Sequence, residues 1–500
     1  MAQVPGKPVS LWLDAAPGEV RPPLQGDAEA DVAVIGGGIA GVATALFLAE
    51  RGASVLLVEA RTVAAAVTGN STAKVTALHE RPYSTIREKV GELAAQAYAE
   101  LNLRGVGLAG SLVERHGIDC GLERAPNHLY TEAEETLEEV ESEAQAAVAA
   151  GVPVILTEET DLPFAIRVAA RLDDQIQLDS AALTRGLARA AEAAGATIHE
   201  HSRVRSVARG NPHRARLENG STLRAEQVLL ATQMPLLDRG LFFARLRPQA
   251  SYAVAAPTAD APRGMYLGIG GDTRSIRSHP GAGSARHLIV GGEGHKVGHA
   301  DGAERYGRLA AWLADRFEAG PVTHRWSAHD LMSPDALPMI GPLGPPWPRI
   351  QVATGFSKWG LAAGLGAAEM LAETLTGNTD ERLEAFDPTR LNARAALPEL
   401  AKENLDVGVQ MVGGRLRRAD ERPLEPGEGH VVGDGLGQTA ECRDFDGNHH
   451  RLSARCTHLG CIVRWNSGDA TWDCPCHGSR FAADGSVLNG PASAPLEPAG

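Results

Sequence analysis

Two short cysteine–histidine groups near the C-terminal end carry the strongest chemical signal in this 500-residue sequence. The first is Cys456-Thr-His458-Leu-Gly-Cys461, and the second is Cys474-Pro-Cys476-His477-Gly-Ser479. Thiolate sulfur and neutral imidazole nitrogen are ligands for borderline and soft metals. Five of the six cysteines fall in the last fifth of the chain, where Cys442 joins these four, and Cys120 stands alone. A disulfide scaffold would spread its cysteines through a small secreted domain, so this clustering among histidines reads as a metal site. Two sites fit the donor types. A Cys2His2 set can hold one zinc ion. Two thiolates on one iron and two imidazoles on another can hold a [2Fe-2S] cluster, whose potential the neutral imidazoles raise.

A second group lies near the N-terminal end. Gly36, Gly38 and Gly41 form G-x-G-x-x-G between an apolar run, Val32 to Ile35, and a helical pattern through Val42, Leu46 and Leu48. Gly36 permits a tight turn, Gly38 lets a pyrophosphate approach the backbone, and Gly41 lets the helix pack on the sheet. Ile39 and Ala40 then begin a helix whose free N–H groups face the phosphates. Glu59 closes the next apolar run, Val55 to Val58, where a carboxylate can bond a ribose hydroxyl. The unit predicts dinucleotide binding and does not by itself separate FAD from NAD.

Further motifs resemble the amino-acid-oxidase-like (DAO-type) FAD oxidoreductases over roughly residues 10–390. They are Thr68-Gly69-Asn70-Ser71-Thr72-Ala73-Lys74, the pattern Asp335, Pro338, Ile340, Gly341, and Ala353–Gly360, which contains Gly355, Lys358, Trp359 and Gly360. The resemblance implies FAD, an α/β Rossmann-like FAD-binding domain and an interleaved α+β substrate domain. It implies cofactor contacts from the Thr68–Lys74 segment, and a Gly/Ala-rich helix whose N-terminus points at the flavin pyrimidine. A positive helix end there stabilises reduced flavin, and Lys358 adds a full charge.

The cysteine–histidine pair, with Gly490-Pro491-Ala492 after it, resembles Rieske proteins over roughly residues 405–496. That resemblance implies a small all-β domain in which Cys456, His458, Cys474 and His477 bind the cluster. It also implies a disulfide between Cys461 and Cys476. Respiratory Rieske proteins carry tyrosine where this chain has Phe481. Loss of a hydroxyl bond to a ligand sulfur predicts a less oxidising cluster. Together the motifs resemble bacterial FAD-dependent oxidoreductases with a C-terminal Rieske domain.

These landmarks divide the chain into an oxidoreductase domain at 1–390, a linker at 391–404 and a Rieske domain at 405–500. Residues 82–150 read as helical, with an acidic stretch from Glu132 to Glu143 taken as a solvated helix face. A helix is expected at Ala181–Ala194 and strands at Val228–Ala231 and His287–Val290. Cys120 and Cys442 read as small core residues, and His449 and His450 as surface residues. Net charge is −14, which excludes a nucleic-acid partner. No apolar run is long enough for a membrane span, and no signal pattern opens the chain, so a cytoplasmic address is expected.

The two cofactors imply a dehydrogenase. Electrons would pass from a small-molecule substrate to FAD, then singly through the cluster to a protein acceptor; the reverse direction stays open. In family oxidases acting on amino acids, an arginine clamps the substrate carboxylate about four residues after a tryptophan. Here that stretch is Trp326-Ser-Ala-His329-Asp330. An acid at this place predicts a cationic amine, unless Asp330 pairs with a neighbour such as Arg325. His329, Tyr252 and Tyr266 are further pocket candidates beside Asp330 and Lys358. The alternative to a dehydrogenase is an electron relay that binds no organic substrate.

Overall fold

The computed structural model describes residues 4–499 apart from 16–17, 238–239, 271–272, 282–284, 346, 391–406, 409, 412–422 and 434–436. The expected linker at 391–404 therefore lies outside the described residues.

The glycine-rich unit forms strand Ala28–Ile35, helix Ile39–Glu50 and strand Val55–Val58. Nearly every residue of that helix is apolar and buried, since it is packed between the sheet and helix Gly360–Leu375. The sheet runs in the order Met339–Pro342, Ile350–Thr354, Thr222–Leu230, Ala28–Ile35, Val55–Val58, Thr197–His199. From Ile350–Thr354 onward its neighbours pair in parallel, and both faces are covered, as such sheets require.

A second, mixed sheet forms the other half of the N-terminal region. At its centre the strands Arg247–Thr258, Arg286–Lys296 and Arg274–Pro280 pair antiparallel. Strand His324–Met332 adds to the free side of Arg247–Thr258, with His329 opposite Ala250 and Asp330 opposite Gln249.

The helical reading of 82–150 needs correction. Strand Glu123–Thr131 interrupts it, pairing with Met265–Gly268 and Val168–Gln177, because its apolar residues are buried within this sheet. The acidic stretch is not wholly solvated either. Glu143 is fully buried and accepts the backbone N–H groups of Tyr83 (2.8 Å) and Ser84 (2.9 Å) at the start of helix Pro82–Lys89. Cys120 and Cys442 are buried. His450 lies 3.0 Å from Asp444.

The C-terminal module consists of two small antiparallel sheets. One is Gly429–Val432, Thr439–Arg443 and His449–Ser453; the other is Arg464–Asn466, Thr471–Asp473, Arg480–Ala482 and Val487–Asn489. The cysteine–histidine groups sit on the loops before Arg464–Asn466 and between Thr471–Asp473 and Arg480–Ala482. Among the described residues, no helix is long and apolar enough to cross a membrane.

Candidate active site and iron–sulfur loops

One cavity opens at the carboxyl ends of strands Ala28–Ile35 and Thr222–Leu230, where ligands of open α/β sheets bind, and reaches strand His324–Met332. Gly36, Gly38, Ile39, Ala40, Glu59, Thr68 and Ser71 line it, as do Asp330, Gly355, Lys358 and Gly360. Gly36 has φ +116°, and a Cβ there would stand 2.4 Å from the Ala231 carbonyl oxygen. Gly38 caps the helix with no side-chain bond, which leaves the N-terminus open to the cavity. The Glu59 carboxylate accepts the N–H groups of Gly37 (2.7 Å) and Arg61 (2.8 Å), which fixes it at the rim. The Thr68 hydroxyl accepts the Ile39 N–H at 3.1 Å.

Other predicted contacts lie behind the wall. Gly41 does not line the cavity; a Cβ there would come 2.1 Å from the Gly36 carbonyl oxygen, so its role is close packing of helix on turn. Gly69, Thr72, Ala73 and Lys74 also miss the cavity. Lys74 is buried and donates to the Tyr266 carbonyl at 2.6 Å, and burial pushes its ammonium well below the usual range. Trp359 stacks on His79 at 4.2 Å.

Two cations that no motif announced do line it, Arg61 and Arg203. Burial lowers both, and the Glu59 carboxylate opposes that in each case. Arg61 could have been found from its place two residues past Glu59. Arg203 has no such local signal.

Asp330 faces the cavity and has no side-chain hydrogen-bond partner among the described residues. Burial raises its carboxyl to about 6, against the pull of the Lys358 ammonium. It does not meet Arg325. Their spacing along one strand is odd, which places the two on opposite faces, and Arg325 instead donates to backbone carbonyls of Gly6 and Gly468. Lys358 adopts φ +76° after Ser357 at +49°, a left-handed pair that turns the chain into helix Gly360–Leu375 at the cavity. Such strain in residues other than glycine is found where surrounding structure enforces it, commonly at functional sites.

His329 touches the cavity, but its ring lies on the far face of the strand among Asp473, Arg480 and Gly478. The imidazole Nε2 is 4.0 Å from Asp473, and neither ring nitrogen reaches a hydrogen-bond partner, although the Gly478 backbone is close. Burial drops this imidazole to about 3, so it is neutral at physiological pH. Tyr252 points away, with its hydroxyl 3.1 Å from His295. The Tyr266 hydroxyl donates to Asp161. Neither tyrosine lines the cavity.

In the C-terminal module, Cys461 and Cys476 are joined by a disulfide with Cα atoms 6.5 Å apart. It ties the two ligand loops together. The Cys474 sulfur lies within 4.8 Å of both bonded sulfurs, but those two are spent in the bridge and offer no thiolate. Cys456 and Cys474 remain as buried thiols. The Cys456 thiol is held below the usual thiol range, chiefly by its hydrogen bond with Cys474. Burial opposes this, and the His458 and Leu459 N–H groups and the Ser479 hydroxyl add to it. The His458 and His477 rings stand 5.1 Å apart and perpendicular, with Phe243 edge-on to each at 5.2 Å.

Residues 31–374 match the family described as FAD dependent oxidoreductase (DAO). The chain belongs to the FAD-dependent oxidoreductase family. Residues 420–499 of this oxidoreductase match the Rieske [2Fe-2S] domain. It is 30% identical over 495 residues to the Rieske 2Fe-2S iron-sulfur protein YhfW of Bacillus subtilis (strain 168), covering 98% of this chain and 97% of that protein. Among solved structures it is similar to glycine oxidase from Geobacillus kaustophilus, with a TM-score of 0.60 at 21% identity over 73% of this chain and 99% of that one. It is also similar to L-amino acid deaminase from Proteus myxofaciens, with a TM-score of 0.59 at 19% identity over 77% of this chain and 96% of that one. At these identities the structural likeness shows the fold.

The cofactors of this oxidoreductase are FAD and a Rieske-type [2Fe-2S] cluster. Its residues fit both. A glycine-turn helix N-terminus that opens on a cavity lined also by Arg61 and Arg203 suits a pyrophosphate. Two thiols and two imidazoles on loops bridged by a disulfide suit the cluster.

Proposed function

We propose that this FAD-dependent oxidoreductase oxidises a small amine or amino-acid-like substrate at the Asp330 side of the cavity and passes the electrons singly to an external acceptor. The likeness to an amino-acid oxidase and a deaminase supports the substrate class. The single observation that carries the amine reading is Asp330, a partnerless carboxylate in the cavity wall. When bound, FAD supplies a two-electron acceptor and the cluster, on Cys456, Cys474, His458 and His477, supplies a one-electron carrier. Asp330 is mostly ionised at neutral pH and holds a substrate ammonium by a charge-assisted hydrogen bond. Lys358, at the positive end of helix Gly360–Leu375, favours negative charge gathering beside it. Phe356 and Leu361 restrict water on that side. The neutral His329 ring, turned away, takes no proton from the substrate.

The test is anaerobic addition of small amines and amino acids, with flavin absorbance and the cluster EPR signal recorded together. Bleaching accompanied by a reduced Rieske signal is expected with a cationic amine. Because the Asp330 carboxyl is raised to about 6, kcat/KM should fall as pH drops through that value and level off above it. Asp330→Asn should lower kcat/KM by about tenfold or more, the worth of a hydrogen bond to a charged group, and abolish the limb near 6. Unchanged amine turnover in that variant would overturn the amine reading.

A further inference from the structure

The cavity wall is not built from the oxidoreductase region alone. Leu488, Asn489, Gly490, Ala492 and Ser493 of the C-terminal module line it too. Leu488 and Asn489 end the last strand of the module, Val487–Asn489, and the other three lie in the loop after it. Several bonds hold this loop against the cavity. Asn489 donates to the Gln233 side-chain oxygen at 2.8 Å, and the Gln233 amide donates to the His329 carbonyl. Arg203, itself a cavity residue, donates to the Val487 carbonyl at 2.8 Å. On its other side the loop reaches the ligand loops, where the Ala492 N–H donates to the Ser479 hydroxyl at 3.0 Å.

Hydrogen bonds to buried charged groups also seat the module. Arg480 is paired with Asp473 (2.8 Å) and Asp469 (3.1 Å), and donates to Ser327 of the substrate region at 2.7 Å. Asp469 in turn accepts the Tyr306 hydroxyl at 2.7 Å. Separating the two regions would leave these ion pairs intact within the module but would remove the Ser327 and Tyr306 hydroxyl partners of Arg480 and Asp469. Pro248 fills the space above Gly478, where a Cβ would stand 2.4 Å from the Pro248 Cβ.

We propose that FAD is held jointly, with the iron–sulfur module supplying Leu488 and Asn489 as part of the dinucleotide-binding wall. The module is then a cofactor-retaining element of the flavin site as well as a carrier of the cluster. This inference rests on the FAD and Rieske assignments and is independent of the substrate class.

Release of FAD from the full-length holoprotein tests it, followed by the rise in free-flavin fluorescence after dilution, with iron content and the cluster EPR signal as controls. Leu488→Glu places a negative charge in the wall of a cavity that takes an anionic dinucleotide, and is expected to speed FAD release at least tenfold with the EPR signal intact. Asn489→Ala is expected to speed it about threefold, and Arg451→Ala, on an exposed pair with Glu441, not at all. If Leu488→Glu fails to fold or loses iron, Leu488→Ala takes its place, with an expected acceleration of at least threefold. Release within twofold of wild type in both position-488 and position-489 variants, with iron retained, would overturn the proposal.

Discussion

The cluster loops and the flavin cavity hold their cofactors by different means. The four proposed cluster ligands fall between Cys456 and His477, on two loops of one small module joined by one disulfide. The cavity draws its lining from Ile35 at one end of the sequence to Ser493 at the other. The cluster site depends on a few side chains that are chemically irreplaceable. The flavin site depends on close approach and on elements brought together from the whole chain. Damage should therefore be all-or-none at the first and graded at the second.

The largest contrast is expected from Cys474→Ser. It should abolish the Rieske EPR signal while absorbance still shows bound flavin, since no flavin-lining residue changes. Loss of flavin in step with iron would sharpen the comparison by showing that the module must be loaded to keep the cavity wall in place. Gly41→Val is the converse. A Cβ at that position meets the Gly36 carbonyl oxygen at 2.1 Å, so the phosphate turn must shift. Flavin content should fall severely while the cluster signal survives.

A smaller effect is expected from removing the bridge with Cys461→Ser and Cys476→Ser together. The bridged residues are 15 apart, and a loop of that size is worth about 3 kcal/mol. Calorimetry should show earlier melting of the C-terminal module, and iron should be lost faster on warming. An unchanged melting profile would mean that docking against the oxidoreductase region, through Arg480 and Asp469, already fixes the ligand loops. The smallest effect is expected from Phe481→Tyr. Phe481 is wholly buried beside the ligand loops. A hydroxyl there that reaches a ligand sulfur should raise the cluster potential in protein-film voltammetry, with flavin binding unaltered. No upward shift would remove Phe481 as the cause of a lower potential.

The sites differ as well in how far they could be read from sequence. The cluster ligands are close in the chain, so residue type and spacing were enough to propose them, and the resemblance supplied the disulfide partners. The phosphate turn was legible for the same reason: strand, glycines, helix and Glu59 are consecutive. The remainder of the flavin site was less so. Lys74 and Trp359 belong to recognisable motifs, yet neither lines the cavity: Lys74 is buried and bonded to Tyr266, and Trp359 is half-buried and stacked on His79. Strand Glu123–Thr131 was read as helix because its neighbours on both sides are long helices, and only pairing with distant strands makes it extended.

By itself, the sequence determined the two cofactor classes, the order of the regions and the chemical oddity of an acid at Asp330, because each depends on local spacing. Tertiary structure decided which face of a strand each residue took, turning Asp330 into the cavity and the His329 ring toward Asp473. It also recruited Arg203, Leu488 and Asn489 to the flavin site. Those residues share no local pattern with Gly36 or Glu59, and their meeting follows from parallel-sheet crossovers and from the hydrogen bonds that seat one module on the other, Arg203 to Val487, Asn489 to Gln233 and Arg480 to Ser327.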